Sequence, residues 1–145
     1  MIFMDNVINE FIQKLYVTYG TLDITKLIES HGIEIRYVPF LKNPYGQSVN
    51  ILGEKVILVS DEIQESNSRY FVLAHEFFHS IYHIDLAGYY VRDTFSRGKL
   101  EKEANKFAAA LFINKYVEDF GALPHSYKDL TYLYGVPEEL IDYYT

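Results

Sequence analysis

Apolar residues recur at helical spacing from the first residues of the chain. Between residues 5 and 19 they fall three or four positions apart, which predicts an amphipathic helix that begins after a possible Asp5 cap. A second, short helix is predicted over 24–31, because Asp23 suits the N-cap position and Gly32 follows the last turn.

The next segment shows the alternation of apolar and polar residues that is typical of strands. It predicts a half-exposed strand from Ile33 to Tyr37. Two further stretches, SVNIL and VILVS, flank Gly53-Glu54-Lys55 and predict a hairpin. Residues 56–59 are apolar throughout, so we expect them to be buried on both faces of the sheet.

Helical periodicity returns in the second half of the chain. A helix capped by Ser66, Asn67 or Ser68 is predicted to contain LAHEFFHSIYH, residues 73–83. After Asp85 the periodicity is lost, and LAGYYVRDTFSRG predicts an irregular loop that ends at Gly98.

The remaining residues predict one long helix and two short ones. The long helix carries an apolar stripe formed by Leu100, Ala104, Phe107, Ala108 and Leu111. Pro124 and the triplet at 135–137 divide the tail into helices near 127–134 and 137–144. Four tail residues are expected to be buried: Tyr132, Leu133, Leu140 and Ile141.

Helices followed by a small antiparallel or mixed sheet and then by further helices predict the α+β class. The chain shows no repeat, low-complexity tract or linker, so we expect residues 1–145 to form a single domain.

Composition and charge narrow the possible functions. With 49% apolar and 23% charged residues, the chain resembles an ordinary globular protein. It lacks the basic and long apolar parts of a signal peptide and any stretch of about 18 apolar residues, so we expect a cytoplasmic protein without a membrane partner. A net charge of −7 argues against direct nucleic-acid binding and is compatible with a basic protein partner.

Three of the five histidines lie four residues apart within residues 73–83. One helical turn separates His75 from His79, so their side chains share a face and can bind one metal ion. Glu76 points about 100° around the helix, where it could act as general base in the HExxH arrangement. The alternative is an amphipathic core helix whose histidines only form hydrogen bonds.

His83 extends the series but cannot join the same site as a ligand. Its Cα atom would lie about 12 Å from that of His75 along a straight helix. We therefore expect His83 to be partly exposed or to support a metal ligand. Since the chain has no cysteine, any zinc must be held by histidine and carboxylate.

The segment KLEKEANKFAAALF, residues 99–112, offers the third ligand that a catalytic zinc site needs. Glu101 and Asn105 share a helix face, whereas Glu103 points elsewhere, toward the side with Lys106. A carboxylate followed one turn later by an amide suits a ligand and a residue that orients the site. The alternative is that Glu101 is a solvated acid favoured by the helix dipole. The upstream HExxH favours the first interpretation.

Together, AHEFFHSIYH and LEKEANKFAAALF resemble the ImmA/IrrE family of zinc metallopeptidases, whose pattern is HExxH followed by ExxANxFAxxLL. The resemblance implies a zincin-like minimal metallopeptidase fold with HExxH on the central helix. It also implies that His75, His79 and Glu101 bind one zinc ion per chain, that Glu76 is the catalytic base, and that Asn105 supports a ligand. The chain departs from the family pattern after these residues, where Leu-Leu-Met-Pro is replaced by residues 111–114, LFIN.

The resemblance also implies a substrate class, namely helix-turn-helix repressors of phage, mobile elements or stress regulons. A further donor should stabilise the oxyanion of the reaction, and the candidates are Tyr89, Tyr90, His83 and His125. The strand VILVS, just before the HExxH helix, offers an edge to which an extended substrate could add as another strand.

Two other functions compete with peptide hydrolysis. The first is a regulatory or toxin-like module that binds metal and acts through protein binding without cleavage. The second is DNA binding, since YKDLTYLYGVPEEL faintly resembles the pattern of a helix-turn-helix motif. Residues 127–145 contain one lysine, no arginine and four acidic side chains, so phosphate binding by this segment is implausible. The sequence does not specify an oligomeric state.

Overall fold

The fold combines five α-helices with a three-stranded sheet in the part of the chain that the computed structural model describes. That part comprises the backbone of residues 2–83 and 94–143 and the side chains of 6–83 and 98–140. The elements are α1 (Ile2–Tyr19), α2 (Ile24–Ser30), β1 (Glu34–Val38), β2 (Gly46–Ile51), β3 (Glu54–Ser60), α3 (Ser68–Tyr82), α4 (Thr94–Phe120) and α5 (Tyr127–Tyr134). Short 3₁₀ helices span Asp61–Ile63 and Glu138–Tyr143. The predicted α+β class is confirmed.

The sheet is mixed, and β3 is its central strand. β3 pairs in parallel with β1 and antiparallel with β2, which gives the order β1-β3-β2. The predicted hairpin is present, but its turn is Leu52-Gly53 and not Gly53-Glu54-Lys55. Both turn residues have positive φ, 52° and 86°, as a two-residue type I′ turn requires.

The N-terminal helices follow the sequence prediction closely. The side chain of Asp23 accepts hydrogen bonds from the backbone N–H groups of Thr25 and Lys26, so it caps α2 as expected. Gly32, just after the end of this helix, has a φ of 71°, which favours glycine. α1 covers the predicted helix but begins at Ile2, so Asp5 lies inside the helix and its predicted role as the cap is wrong.

Helix α4 begins earlier than the sequence indicated. It starts at Thr94, so Gly98 lies inside the helix and does not end a loop; residues 84–93 lie outside the described part. Glycine within a helix costs about 1 kcal/mol, and burial of the predicted apolar stripe outweighs that cost. Four members of the stripe, Ala104, Phe107, Ala108 and Leu111, are fully buried.

The tail forms the predicted helices with one change in burial. Leu140 is buried and Leu133 is half-buried, whereas Tyr132 is 78% exposed, so its predicted burial is wrong. α5 buries the face that carries Leu130 and Tyr134, and residue 132 projects about 200° from residue 130. The side chain of Ile141 lies outside the described residues.

Helix α3 contacts both the sheet and α4, and it is the central helix of the fold. An aromatic cluster fills the space beneath it, with Phe78 stacked on Phe107 at 4.9 Å between ring centroids. Phe11 of α1 packs against the same rings. The buried alanines Ala104 and Ala108 allow α4 to approach α3 closely. Within the described ranges, no helix is long and apolar enough to cross a bilayer.

Candidate metal centre and active site

Two histidines of α3 and one glutamate of α4 bring their ligand atoms together. Nε2 of His75 lies 3.1 Å from Nε2 of His79, and the Glu101 carboxylate lies 3.1 Å from the first ring and 2.6 Å from the second. Ligand atoms at 2.0–2.1 Å from a tetrahedral zinc ion are about 3.4 Å apart. The three side chains therefore form a group that could hold a metal ion.

The side chain of Asn105 contacts the ring of His75. The ring Nδ1 of His75 donates to Oδ1 of Asn105 over 2.8 Å. With the proton on Nδ1, the lone pair of the neutral ring is on Nε2, which faces the other ligand atoms. The predicted contact between the amide of Asn105 and a candidate ligand is therefore present.

His79 makes an equivalent contact with His83. Their Nδ1 atoms are 2.8 Å apart, and Nε2 of His83 lies 3.0 Å from a carboxylate oxygen of Glu103. His83 is buried and not partly exposed. Glu103 had no assigned role in the sequence analysis. The available signal was that a third histidine followed His79 by one turn, so a hydrogen-bond acceptor for its ring was to be expected nearby.

Opposing effects set the ionisation of the cluster. Burial would raise the pKa of the Glu101 carboxyl, but hydrogen bonds with His75 and His79 hold that pKa well below its usual range. Burial would lower the pKa of His75, but its hydrogen bond with Glu101 and the charges of Glu76 and Glu101 raise that pKa above its ordinary value. As the pH falls through this raised pKa, His75 becomes protonated. A metal ion must then displace that proton to bind the ring.

Glu76 lies beside the cluster, with its side chain 10% exposed. Its Oε2 atom is 3.9 Å from Nε2 of His75, while Oε1 lies 3.0 Å from the hydroxyl of Ser48. Strand β2 approaches this carboxylate closely because Gly46 has no side chain. A Cβ atom at that position would lie 2.4 Å from Val72 and 3.1 Å from Cγ of Glu76. Neither Ser48 nor Gly46 was predicted from the sequence to contact the site.

The cluster lines a cleft of about 870 Å³ between β2, α3, α4 and the segment after α5. Most of the other lining is apolar, including Phe71, Val72 and Pro137. β3 is paired on both sides, so the prediction that it offers an edge to substrate is wrong. β2 is the edge strand of this sheet that lines the cleft, through residues 46–48.

Neither of the two described candidates for an oxyanion donor, His83 and His125, is among the residues that line the cleft. Both ring nitrogens of His83 already face His79 and Glu103. His125 is exposed and is not among the residues that line the cleft. Tyr89 and Tyr90 lie outside the described residues.

The geometry is that of an HExxH metal site with a glutamate as third candidate ligand. Residues 28–144 match the model of the Peptidase M78 family, described as the IrrE N-terminal-like domain. The chain belongs to this family, which confirms the resemblance and implies peptidase activity. Comparisons with curated proteins and with solved structures found no match.

Proposed function

We propose that this protein is a zinc-dependent endopeptidase that hydrolyses a peptide bond in a protein partner. The observation that carries the proposal is the convergence of His75, His79 and Glu101 beside the buried carboxylate of Glu76. Two imidazoles and one carboxylate are a ligand set that catalytic zinc commonly has, with one position left for water or substrate. We propose one zinc ion per chain.

The zinc ion, when bound, would polarise the scissile carbonyl and lower the pKa of a water molecule to about 7. Glu76 takes the proton of the attacking water and passes it to the leaving nitrogen. The separate surroundings of its two oxygens support this role, since Ser48 holds Oε1 while Oε2 faces His75. Asn105 supports the ligand geometry through the ring of His75.

The cleft suits an extended segment of a protein substrate. Backbone groups of such a segment would pair with the edge of β2, and its side chains would enter the largely apolar cleft. We propose helix-turn-helix repressors of phage, mobile elements or stress regulons as the substrate class, on the family resemblance. The net charge of −7 is compatible with docking on such basic proteins in the cytoplasm.

The alternative is a regulatory or toxin-like module that binds metal and acts through protein binding alone. It needs the metal ligands but not Glu76, because a carboxylate beside the cluster contributes nothing to binding a partner elsewhere. Glu76→Gln therefore separates the two functions. The burial of an acidic side chain beside the cluster favours catalysis, since buried carboxylates are rare without a specific role.

The first experiment measures zinc per chain by elemental analysis after purification in zinc-containing buffer. We expect about one zinc in the wild type and in Glu76→Gln, and much less in Glu101→Ala. Glu139→Ala, at an exposed glutamate of the tail, is the matched control and should retain zinc.

The second experiment measures cleavage of a proteome-derived peptide library by mass spectrometry. Glu76→Gln should lower the cleavage rate by about 10²–10⁴-fold while it retains zinc. A wild type that takes up no zinc would overturn the proposal. A wild-type protein that binds zinc, but whose biological activity survives Glu76→Gln unchanged, would favour the alternative module.

A further inference from the structure

We propose that Glu103 and His83 are positioning residues that hold His79 in the tautomer and orientation required of a metal ligand. This inference rests on the proposed metal site. The three side chains form a continuous chain of hydrogen bonds, with 3.0 Å between Glu103 and His83 and 2.8 Å between His83 and His79. All three are shielded from solvent, with side-chain exposures of 12%, 6% and 4%.

The direction of the hydrogen bonds follows from the chemistry of the carboxylate end. An ionised carboxylate only accepts hydrogen bonds, so Nε2 of His83 must donate to Glu103. In neutral His83 the other nitrogen, Nδ1, is then an acceptor. His79 must donate its own Nδ1 proton to it, which leaves the lone pair of His79 on Nε2. That atom is the one that faces His75 and Glu101.

The two candidate histidine ligands are thus fixed by different partners. His75 donates to the neutral amide of Asn105, whereas His79 donates to an imidazole that is itself backed by a carboxylate. A ring without such a partner could rotate or carry its proton on Nε2, and it would then bind the metal ion more weakly. The hydrogen bonds that run from Glu103 through His83 prevent both the rotation of the His79 ring and the move of its proton to Nε2.

The same geometry excludes His83 as a fourth ligand. Its Nδ1 faces Nδ1 of His79, the nitrogen on the side of that ring away from the cluster, and its Nε2 faces Glu103. The remaining alternative is that this buried pair contributes only to folding. That alternative predicts an effect on stability without a specific effect on metal affinity.

The test measures zinc affinity by competition with a chromophoric chelator, together with the melting temperature of the metal-free proteins. His83→Phe keeps an aromatic ring but removes the acceptor, and we expect it to weaken zinc binding about 10–100-fold. His83→Asn keeps a side-chain oxygen near the position of Nδ1, and it should recover most of the affinity. His125→Phe, at an exposed histidine outside the cleft, should match the wild type.

Glu103 is tested in the same way and does not depend on the folding of His83→Phe. Glu103→Leu lets His83 adopt either tautomer, so it should weaken zinc binding, whereas Glu103→Gln keeps an acceptor for Nε2 and should weaken it less. The visible spectrum of the cobalt-substituted protein gives a second readout, because its band positions and intensities report the ligand geometry.

The outcomes distinguish this inference from the proposed function. If the wild type binds no zinc, the proposed function fails and the positioning role fails with it. If the wild type binds zinc and both His83→Phe and Glu103→Leu match it in affinity and cobalt spectrum, the positioning role is overturned and the metal site stands. Equal losses of affinity for His83→Phe and His83→Asn would also contradict it.

Discussion

The hydroxyl of Ser48, on strand β2, lies 3.0 Å from Oε1 of Glu76, on helix α3, and 2.7 Å from the backbone carbonyl oxygen of the same residue. The single hydroxyl hydrogen of Ser48 thus has two acceptors within hydrogen-bond distance, both of them on Glu76, the proposed base. Because the contact joins the sheet to the HExxH helix, the orientation of Glu76 depends on how these two layers pack.

Removal of this hydroxyl should reduce turnover without removing the metal. For Ser48→Ala we expect kcat to fall about tenfold, because the Glu76 carboxylate loses a hydrogen bond that limits its rotamers. KM and zinc content should stay at their wild-type values. Steady-state kinetics on a cleaved peptide measure the effect. Ser48→Thr retains a hydroxyl and is the control; a wild-type kcat for Ser48→Ala would show that Ser48 does not orient the base.

The close approach of β2 to α3 makes Gly46 sensitive to substitution. For Gly46→Ala we expect the free energy of unfolding to fall by about 1–3 kcal/mol, because the added Cβ overlaps Val72 and crowds Glu76. Gly98→Ala is the matched control, since Gly98 lies within α4 and no atom of the described residues lies within 4 Å of a Cβ added there. Alanine there should raise the free energy of unfolding by about 0.5–1 kcal/mol. Urea denaturation distinguishes the two, and equal responses would contradict the close packing.

Gly135, directly after α5, packs against the start of α3, and we expect this position to tolerate alanine poorly. Its φ of 72° is matched by the 77° of Gly121, so both positions strain an alanine backbone. Only at Gly135 would a Cβ also meet backbone atoms, 2.5 Å from Cα of Ser68 and 2.7 Å from the carbonyl oxygen of Asn67. We expect Gly121→Ala to lower Tm by about 2–4 °C.

Gly135→Ala should lower Tm by at least about twice that amount, since two backbone segments must move apart. Differential scanning calorimetry of the two variants checks the difference. If both variants melt together, the tail does not pack against α3 as closely as these distances imply.

The hydroxyl of Tyr134 should contribute to the free energy of unfolding at neutral pH, and this contribution should decrease at alkaline pH. It donates to Asp119 over 2.8 Å, and burial together with this carboxylate raises its pKa well above the ordinary value of 10. The neutral form is therefore favoured by folding. Its contribution is fully present below about pH 10 and is lost as the pH rises from there toward the folded-state pKa.

Tyr134→Phe isolates this contribution. The wild type should exceed the variant by a constant free energy of unfolding, about 1–3 kcal/mol, from pH 7 to pH 9. The difference should shrink between about pH 10 and pH 11.5, as denaturant unfolding at each pH would show. A difference that grows with pH would contradict the assigned direction of the pKa shift.

Local patterns in the sequence were sufficient to predict most helices and strands, and to predict that His75 and His79 share a helix face. A helical turn and a cap such as Asp23 depend on residues within four positions of each other, so spacing alone predicts them. Two predictions from local patterns were wrong, namely a loop that ends at Gly98 and the burial of Tyr132. In the first case burial of a long stripe outweighs the preference of one residue, and in the second the packed face of α5 decides which side is exposed.

The partners of the site residues were decided only by the tertiary structure. Ser48 meets Glu76 across 28 residues and His83 meets Glu103 across 20, and no periodicity along the chain specifies which side chains of two packed elements face each other. The central position of β3 is of the same kind, because strand order follows from pairing between segments. The sequence by itself determined the elements and the face that carries the candidate ligands. Packing of β2 and α4 against α3 determined which groups orient them, since those contacts form only when separate elements are buried together.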